Sequence, residues 1–248
     1  ITHLVTVSCT GFSAPGVDIR LTKDLGLSPH IARTHVGFMG CHGALNGLRI
    51  AKAVAEADPE AFVLLCAVEL CSLHFQYGMD PEKVVANALF ADGAAAAVVA
   101  APSRETEEDW KVTVSGSNVF PDSEDAMTWR IGSHGFEMTL SPRIPEIIAS
   151  NLPAWCESWL EENELKISDI RSWAIHPGGP RILDAVEKCL GLPGEMLRVS
   201  REILADCGNM SSPTILFILK QLILEKTPRP CVALAFGPGL SVEAALFT

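Results

Sequence analysis

Two hydrophobic periods alternate along this chain, and each change of period marks an element. Residues 2–9 (Thr-His-Leu-Val-Thr-Val-Ser-Cys) are apolar and β-branched, which predicts a buried strand. Residues 17–26 predict a short helix ending at Gly26, and Arg33 to Val36 a brief strand. From Cys41 to Glu56 the period is helical: Leu45, Leu48, Ile50, Ala51 and Val54 form one apolar stripe, ended by Ala57-Asp58-Pro59. Ala61 to Glu69 predicts a buried strand, Val84 to Phe90 a helix or turn, and Ala94 to Ala100 a strand of small and β-branched residues.

The polar stretch Pro102 to Asp109 is the best internal boundary. Beyond it, Lys111 to Val119 predicts a strand, and residues 120–135 a loop with some strand. Ile144 to Leu160 predicts an amphipathic helix, with Pro153 as a kink or break. A short strand, Ser172 to His176, runs into the turn Pro177-Gly178-Gly179-Pro180, where Pro180 suits a first helical position. Helices follow over Arg181 to Leu190 and Glu195 to Asp206, and a strongly apolar one opens after Gly208-Asn209-Met210-Ser211-Ser212 and runs to about Glu225. Pro228 to Ala235 and Ser241 to Phe247 close the chain as strands. One order occurs twice: a helix opened by small residues, a buried strand, a glycine turn and an Ala/Val-rich strand. That order predicts two similar α/β halves, residues 1–102 and 103–248.

A chain of 248 residues, 48% of them apolar, can bury a core of that size. Its net charge of −11 argues against nucleic acid and anionic membranes as partners. It leaves room for an anionic small ligand, because helix N-termini and local basic groups hold phosphates. The eight cysteines form no Cys-x-x-Cys pair and no Cys–His cluster at metal spacing. They read as free thiols in a reducing, cytoplasmic compartment. No apolar run reaches membrane-spanning length, and the start Ile1-Thr2-His3 runs straight into a strand with no signal peptide, as in a fragment.

Three polar residues stand at glycine-flanked turns: Gly40-Cys41, His176-Pro177-Gly178-Gly179 and Gly208-Asn209. Such turns are where α/β proteins place reacting groups. Singly, each suits a structural role: a buried cysteine, a satisfied histidine after a strand, a helix cap. Together they suit acyl transfer, in which a thiolate attacks a carbonyl while His and Asn donate hydrogen bonds to the developing oxyanion. A helix start would favour the thiolate of Cys41. His42 and His74 invite a metal reading, but no carboxylate or thiol spacing accompanies them.

These strings, with Gly237-Pro238-Gly239-Leu240, Leu89-Phe90-Ala91-Asp92-Gly93 and Pro15-Gly16-Val17-Asp18, resemble the type III polyketide synthases, the chalcone and stilbene synthase family, over nearly the full length. The resemblance implies a thiolase-like fold of two α/β halves, each a five-stranded sheet with helices layered between, in a homodimer, the N-terminal half here being incomplete. It implies that Cys41 takes an acyl group from a CoA thioester and that His176 and Asn209 stabilise the enolate formed from malonyl-CoA. The same resemblance has His176 pair with the Cys41 thiolate. It places Phe90 at the cavity mouth and Gly237 in the active-site wall. No cofactor beyond the acyl-CoA and malonyl-CoA substrates is implied, and no metal.

Departures from the plant members fall on the cavity. Met138 stands for a second gatekeeping phenylalanine, Cys71 and His74 for small hydroxyl residues, and Trp129 for glycine. Ala14 replaces a methionine that crosses the dimer. These changes imply a bacterial-type member with a smaller or differently shaped cavity. The family's N-terminal segment, with basic residues for the CoA phosphates, is expected to be missing; Arg181 at a helix start is a candidate replacement and equally a solvated surface residue. Two other readings stay open: an initiating ketoacyl synthase making one extension on a carrier protein, and an inactive thiolase-like protein kept for binding or dimerisation.

Overall fold

The computed structural model describes all residues except 105, 107, 108 and 134, and only the backbone of 82 and 102. Part of the Pro102–Asp109 boundary stretch therefore lies outside the described residues. The first half runs β1 (His3–Ser8), α1 (Val17–Asp24), β2 (Ala32–Gly37), α2 (Gly43–Ala57), β3 (Phe62–Glu69), α3 (Pro81–Leu89) and β4 (Gly93–Ala100). The second runs β5 (Val112–Val119), β6 (Met127–Gly132), β7 (Gly135–Leu140), α4 (Ile144–Glu161), β8 (Ser172–Ile175), α5 (Pro180–Leu190), α6 (Arg198–Cys207), α7 (Pro213–Leu224), β9 (Cys231–Gly237) and β10 (Ser241–Phe247).

Two four-stranded sheets carry the fold, in the orders β2-β1-β3-β4 and β5-β10-β9-β8. In each, two parallel strands are followed by an antiparallel third: β1-β3-β4 and β8-β9-β10. That shared arrangement is the physical form of the repeated order in the sequence. The halves differ at the edges. The first adds a parallel strand, β2, outside β1, and the second adds an antiparallel strand, β5, outside β10. Each sheet thus has four described strands where the resemblance implied five. Outside β8, the stretch Gly194–Leu197 makes a 3-10 turn running directly into α6 rather than a strand.

Helices α2 and α7 lie between the sheets. Helix α7 buries Ile215, Leu216, Ile218, Leu219 and Leu222, so it is apolar almost all round, as a helix covered on both sides must be. Leu45 and Leu48 of α2 join it in a core that also takes Val63 and Leu65 from β3 and Ala233 and Ala245 from β9 and β10. A second core gathers Ile148, Leu152 and Leu160 of α4, Trp173 of β8 and Leu183 of α5. Helix α4 continues through Pro153, where the sequence suggested a kink or break. Its buried stripe of Ile148, Leu152, Cys156 and Leu160 holds both sides of the proline on one surface. The polar region 120–135 contains more strand than its composition suggests, because β6 and β7 pair as a hairpin.

The sheet–helix–sheet core sets the stability. Leu65 is fully buried and Leu73 is 64% exposed. Leu65→Ala is expected to lower the unfolding free energy by about 2–5 kcal/mol. Leu73→Ala should change it by no more than about 0.5 kcal/mol. Urea titration of both variants checks the contrast.

Candidate active site

The Gly-Cys turn is fixed by close backbone packing between the halves. Gly40 has φ +77°, and a Cβ there would lie 2.3 Å from Cδ of Pro238. Only glycine meets both demands. Cys41 sits in a 3-10 turn, Gly40–His42, one short turn ahead of α2. Its side chain is buried, and that burial, with the nearby Glu69 carboxylate adding to it, pushes the thiol up to about 11; the polar side chains of Ser211 and Asn209 beside it pull the other way and are outweighed. The lowered thiol pKa expected from a helix start is therefore overturned by desolvation.

Asn209 is held by the other half of the chain. Its N–H donates to the Leu89 carbonyl at 2.9 Å, and its carbonyl accepts from the Ala91 N–H at 2.9 Å. This parallel bridge sets Phe90 beside Asn209. The two motifs mesh because Gly93 leaves space for Met210: a Cβ there would be 2.5 Å from the sulfur. Asn209 Oδ1 accepts the Ser211 N–H at 2.8 Å, which leaves the amide NH2 as the donor toward Cys41. Ser211 itself has φ +57°, a left-handed conformation that costs a non-glycine residue about 1 kcal/mol or more.

His176 follows β8 and is fully buried, its N–H donating to the Leu234 carbonyl at 2.8 Å. Neither ring nitrogen has a hydrogen-bond partner. The expected pairing with a Cys41 thiolate is thus not made. Burial lowers the imidazole to about 3, with a smaller contribution from His42, the residue after Cys41. His176 is neutral, with one nitrogen free to accept and one to donate.

Several residues at this site carry no signal that the sequence reading used. Glu69 ends β3 and is completely buried. It accepts from the Cys9 N–H at 2.9 Å, Thr10 Oγ1 at 2.9 Å, Ser212 Oγ at 2.6 Å and Ser8 Oγ at 3.5 Å. Burial still raises its carboxyl above the ordinary range. The one available clue was an acid ending an otherwise apolar strand. His42 bonds Asn46 Oδ1 at 2.8 Å and Ser241 Oγ at 2.9 Å. A Cβ on Gly237 would stand 2.3 Å from the His42 ring. Gly237 therefore admits His42, and its neighbour Pro238 forms the cavity wall.

A cavity of about 190 Å³ opens over Cys41 and is lined also by Cys71, His74, Phe90, Trp129 and Met138. The structure thus brings six of the candidates together. His176, Asn209 and Gly237 lie behind the lining, and Arg181 is exposed at the start of α5, away from it. Trp129 and Met138 face each other across the β6–β7 hairpin. The Trp129 indole N–H donates to the Cys9 carbonyl at 2.7 Å. His74 Nδ1 accepts the Phe136 N–H at 3.0 Å, which places the ring hydrogen on Nε2, donating to the Thr10 carbonyl at 2.6 Å. Its ring stacks on Phe136 at 4.3 Å and meets Trp129 edge-on at 5.4 Å. Among the described residues, no three His, Cys, Asp or Glu side chains gather into a metal-binding group.

The two shifted groups give opposite pH signatures. His176 falls from 6.5 to about 3, so the unfolded chain binds a proton in that window that the folded chain does not. Its contribution to stability is present above pH 6.5 and is lost on acidification toward 3, at about 1.4 kcal/mol per pH unit. His176→Gln should flatten the pH dependence of stability by that slope in chemical denaturation between pH 7 and 4. Cys41 alkylation by iodoacetamide, followed by peptide mass spectrometry, should keep accelerating through pH 9 with no plateau near neutrality.

Comparison with known proteins completes the picture. Residues 1–103 match the family model for chalcone and stilbene synthases, N-terminal domain, and residues 111–248 match that for the C-terminal domain. The chain is 40% identical to "Alpha-pyrone synthesis polyketide synthase-like Pks18" of Mycobacterium tuberculosis, over 98% of this chain and 64% of that protein. It is 38% identical to "Type III polyketide synthase 10" of Oryza sativa subsp. japonica, over 99% of this chain and 65% of that one. It therefore spans just under two thirds of the length of these curated relatives. The crystal structure of PKS-I from the brown alga Ectocarpus siliculosus superposes with a TM-score of 0.96 at 34% identity, covering 100% of this chain and 68% of that one. With both family models matched in order and the architecture shared, this chain belongs to the chalcone and stilbene synthase family, and its fold is the thiolase-like one.

Proposed function

We propose that this chain is the acyl-transfer body of a type III polyketide synthase. The observation that carries the reading is a buried thiol, flanked by the polar side chains of Asn209 and Ser211, that lines a largely apolar cavity. The thiol is protonated at rest, so attack on a CoA thioester requires a base. His176, neutral and with an unpartnered ring nitrogen, suits that role. Cys41 sulfur adds to the thioester carbonyl, CoA leaves as the thiol with the displaced proton, and the acyl group stays on Cys41. Malonyl-CoA then loses CO₂. The electron pair left behind is an enolate, whose oxygen receives hydrogen bonds from Asn209 and His176. The enolate carbon attacks the acyl-Cys41 carbonyl, the thiolate leaves, and the chain is two carbons longer. Phe90, beside Asn209, helps keep water from the reacting carboxylate.

Arg181 belongs in this reading only as an outer contact, since it is exposed and off the cavity. The eight thiols are all free, which supports a reducing compartment such as the cytoplasm. No helix among the described residues is long and apolar enough to cross a membrane. A homodimer is part of the same proposal, supported by Phe12, Phe38 and Met39, exposed side by side with the loop bearing Ala14.

The mycobacterial relative is named for α-pyrone synthesis, and we infer the same product class here, from few extensions. Trp129 supports this by occupying cavity volume while anchored to Cys9. The full-length protein with malonyl-CoA and a panel of acyl-CoAs, and no carrier protein, should release pyrones detectable by mass spectrometry. Cys41→Ala should abolish them. Product only with an acylated carrier protein would favour the initiating ketoacyl synthase, and no product with any donor would favour a binding protein. Trp129→Gly should lengthen the products by at least one extension; an unchanged profile overturns the cavity argument.

A further inference from the structure

Helix α3 presents one face to the cavity. Lys83, Ala86, Asn87 and Phe90, at i, i+3, i+4 and i+7, all line it and are half-buried, while Val84, Val85 and Ala88 between them are exposed. The inner end of this stripe is fixed, because Phe90 is bridged to Asn209, whose side chain reaches the Cys41 sulfur. Seven residues at 1.5 Å each put Lys83 about 10 Å further out along the axis. The outer part of the wall is held by a polar clasp: Asn87 Nδ2 donates to the Gln76 carbonyl at 2.6 Å, and Gln76 N–H donates back to Asn87 Oδ1 at 3.2 Å.

Lys83 differs from the rest of this lining in charge. It is the one Lys or Arg among the described lining residues, and no Asp or Glu lines the cavity with it. Several basic side chains elsewhere meet a carboxylate, among them Arg49, Lys52, Arg104, Arg143, Arg198 and Arg201. The Lys83 ammonium meets none among the described residues. Two acids precede it in sequence, Glu82 and Asp80, and the Asp80 carboxylate accepts the Lys83 backbone N–H at 3.3 Å. In a chain of net charge −11, the described lining of the cavity therefore carries a single positive charge, that of Lys83.

We infer that Lys83 is a substrate-positioning residue that holds a phosphate oxygen of the CoA carrier as the thioester enters the cavity. The inference rests on the CoA-thioester reaction proposed above and names a contact for its carrier. Two anions of malonyl-CoA are available, the malonyl carboxylate and the phosphates. The carboxylate is the poorer match. It must leave as neutral CO₂, and an ion pair that is lost in the transition state would stabilise the ground state and slow decarboxylation. It also reacts beside Asn209 and Phe90, two helical turns inward of Lys83. An ammonium in the outer wall costs nothing in that step and gives a charge-assisted bond to a group that stays anionic throughout.

The test compares Lys83→Gln and Lys83→Arg in the full-length protein, with malonyl-CoA and with malonyl-N-acetylcysteamine, which keeps the carboxylate and lacks the phosphates. Lys83→Gln is expected to raise KM for malonyl-CoA and for the starter acyl-CoA by about tenfold with kcat little changed. KM for the N-acetylcysteamine thioester should not move, and Lys83→Arg should restore the CoA value. Binding of CoA itself by calorimetry should weaken by the same factor, a readout independent of turnover. An equal loss on the N-acetylcysteamine thioester would overturn the phosphate contact in favour of the carboxylate or a wall role. Unchanged KM and CoA affinity in Lys83→Gln would overturn the inference outright. Were the wild-type protein to turn over no CoA thioester yet bind CoA with Lys83 dependence, the reaction proposal would fall and the contact would stand.

Discussion

Two backbone hydrogen bonds tie the second half of the chain to the first beside the candidate site. Asn209 donates to Leu89 and receives from Ala91. A side chain on a surface loop would have to be ordered at the moment of reaction; this one is ordered by folding. The same two bonds fix Phe90, and through it the inner end of α3 and the cavity wall that follows. Glycine is required on both sides of the junction, at Gly40 against Pro238 and at Gly93 against Met210, because any Cβ would drive the halves apart. The site is therefore a consequence of how closely two sheets and their central helices can pack, and a substitution at these glycines acts on the chemistry by moving backbone.

Close packing also sets the protonation states. Desolvation is the largest cause of the shift at Cys41, His176 and Glu69, and in each it favours the neutral form. The thiol rises to about 11 and the imidazole falls to about 3, so the resting pair is thiol and imidazole rather than thiolate and imidazolium. A neutral pair costs little to bury and keeps the thiol unreactive toward adventitious electrophiles. In the proposed reaction, proton transfer would accompany attack on the substrate, with the polar side chains of Asn209 and Ser211 already in place beside the sulfur. Preorganised donors matter more in such a site than a pre-formed anion would.

The order of the elements and the turns that carry the candidate groups were legible because both depend on local pattern. Strand and helix periods marked nearly every element, and the glycine-flanked Cys41, His176 and Asn209 were legible as turn residues. What depended on tertiary burial was not legible. Glu69 looks like the polar end of an apolar strand until Ser8, Cys9 and Thr10 from one segment and Ser212 from another converge on it. The Cys41 pKa was misjudged because a helix start is visible in sequence and complete desolvation is not. Gly237 was read as cavity wall, whereas the wall is its neighbour and the glycine makes room for His42. Arg181 was placed by its turn, but the turn points it to solvent.

The geometry separates chemistry from selection. The groups around the Cys41 sulfur sit on elements that both sheets hold rigidly. The cavity's far wall comes from the β6–β7 hairpin, which belongs to neither four-stranded sheet. It reaches the first half through a few directional bonds: Trp129 to Cys9, and His74 to Thr10 and Phe136. Trp129 and Met138 are cross-strand partners on one face of the hairpin, but only Met138 also packs against the second-half core, so Trp129 can change with the least disturbance to either core. Volume at the site can then vary through Trp129 while the elements that carry Cys41, His176 and Asn209 stay put. Under the proposed reaction, the placement of Trp129 on a wall outside both four-stranded sheets makes product length, rather than reaction type, the property that changes there would adjust.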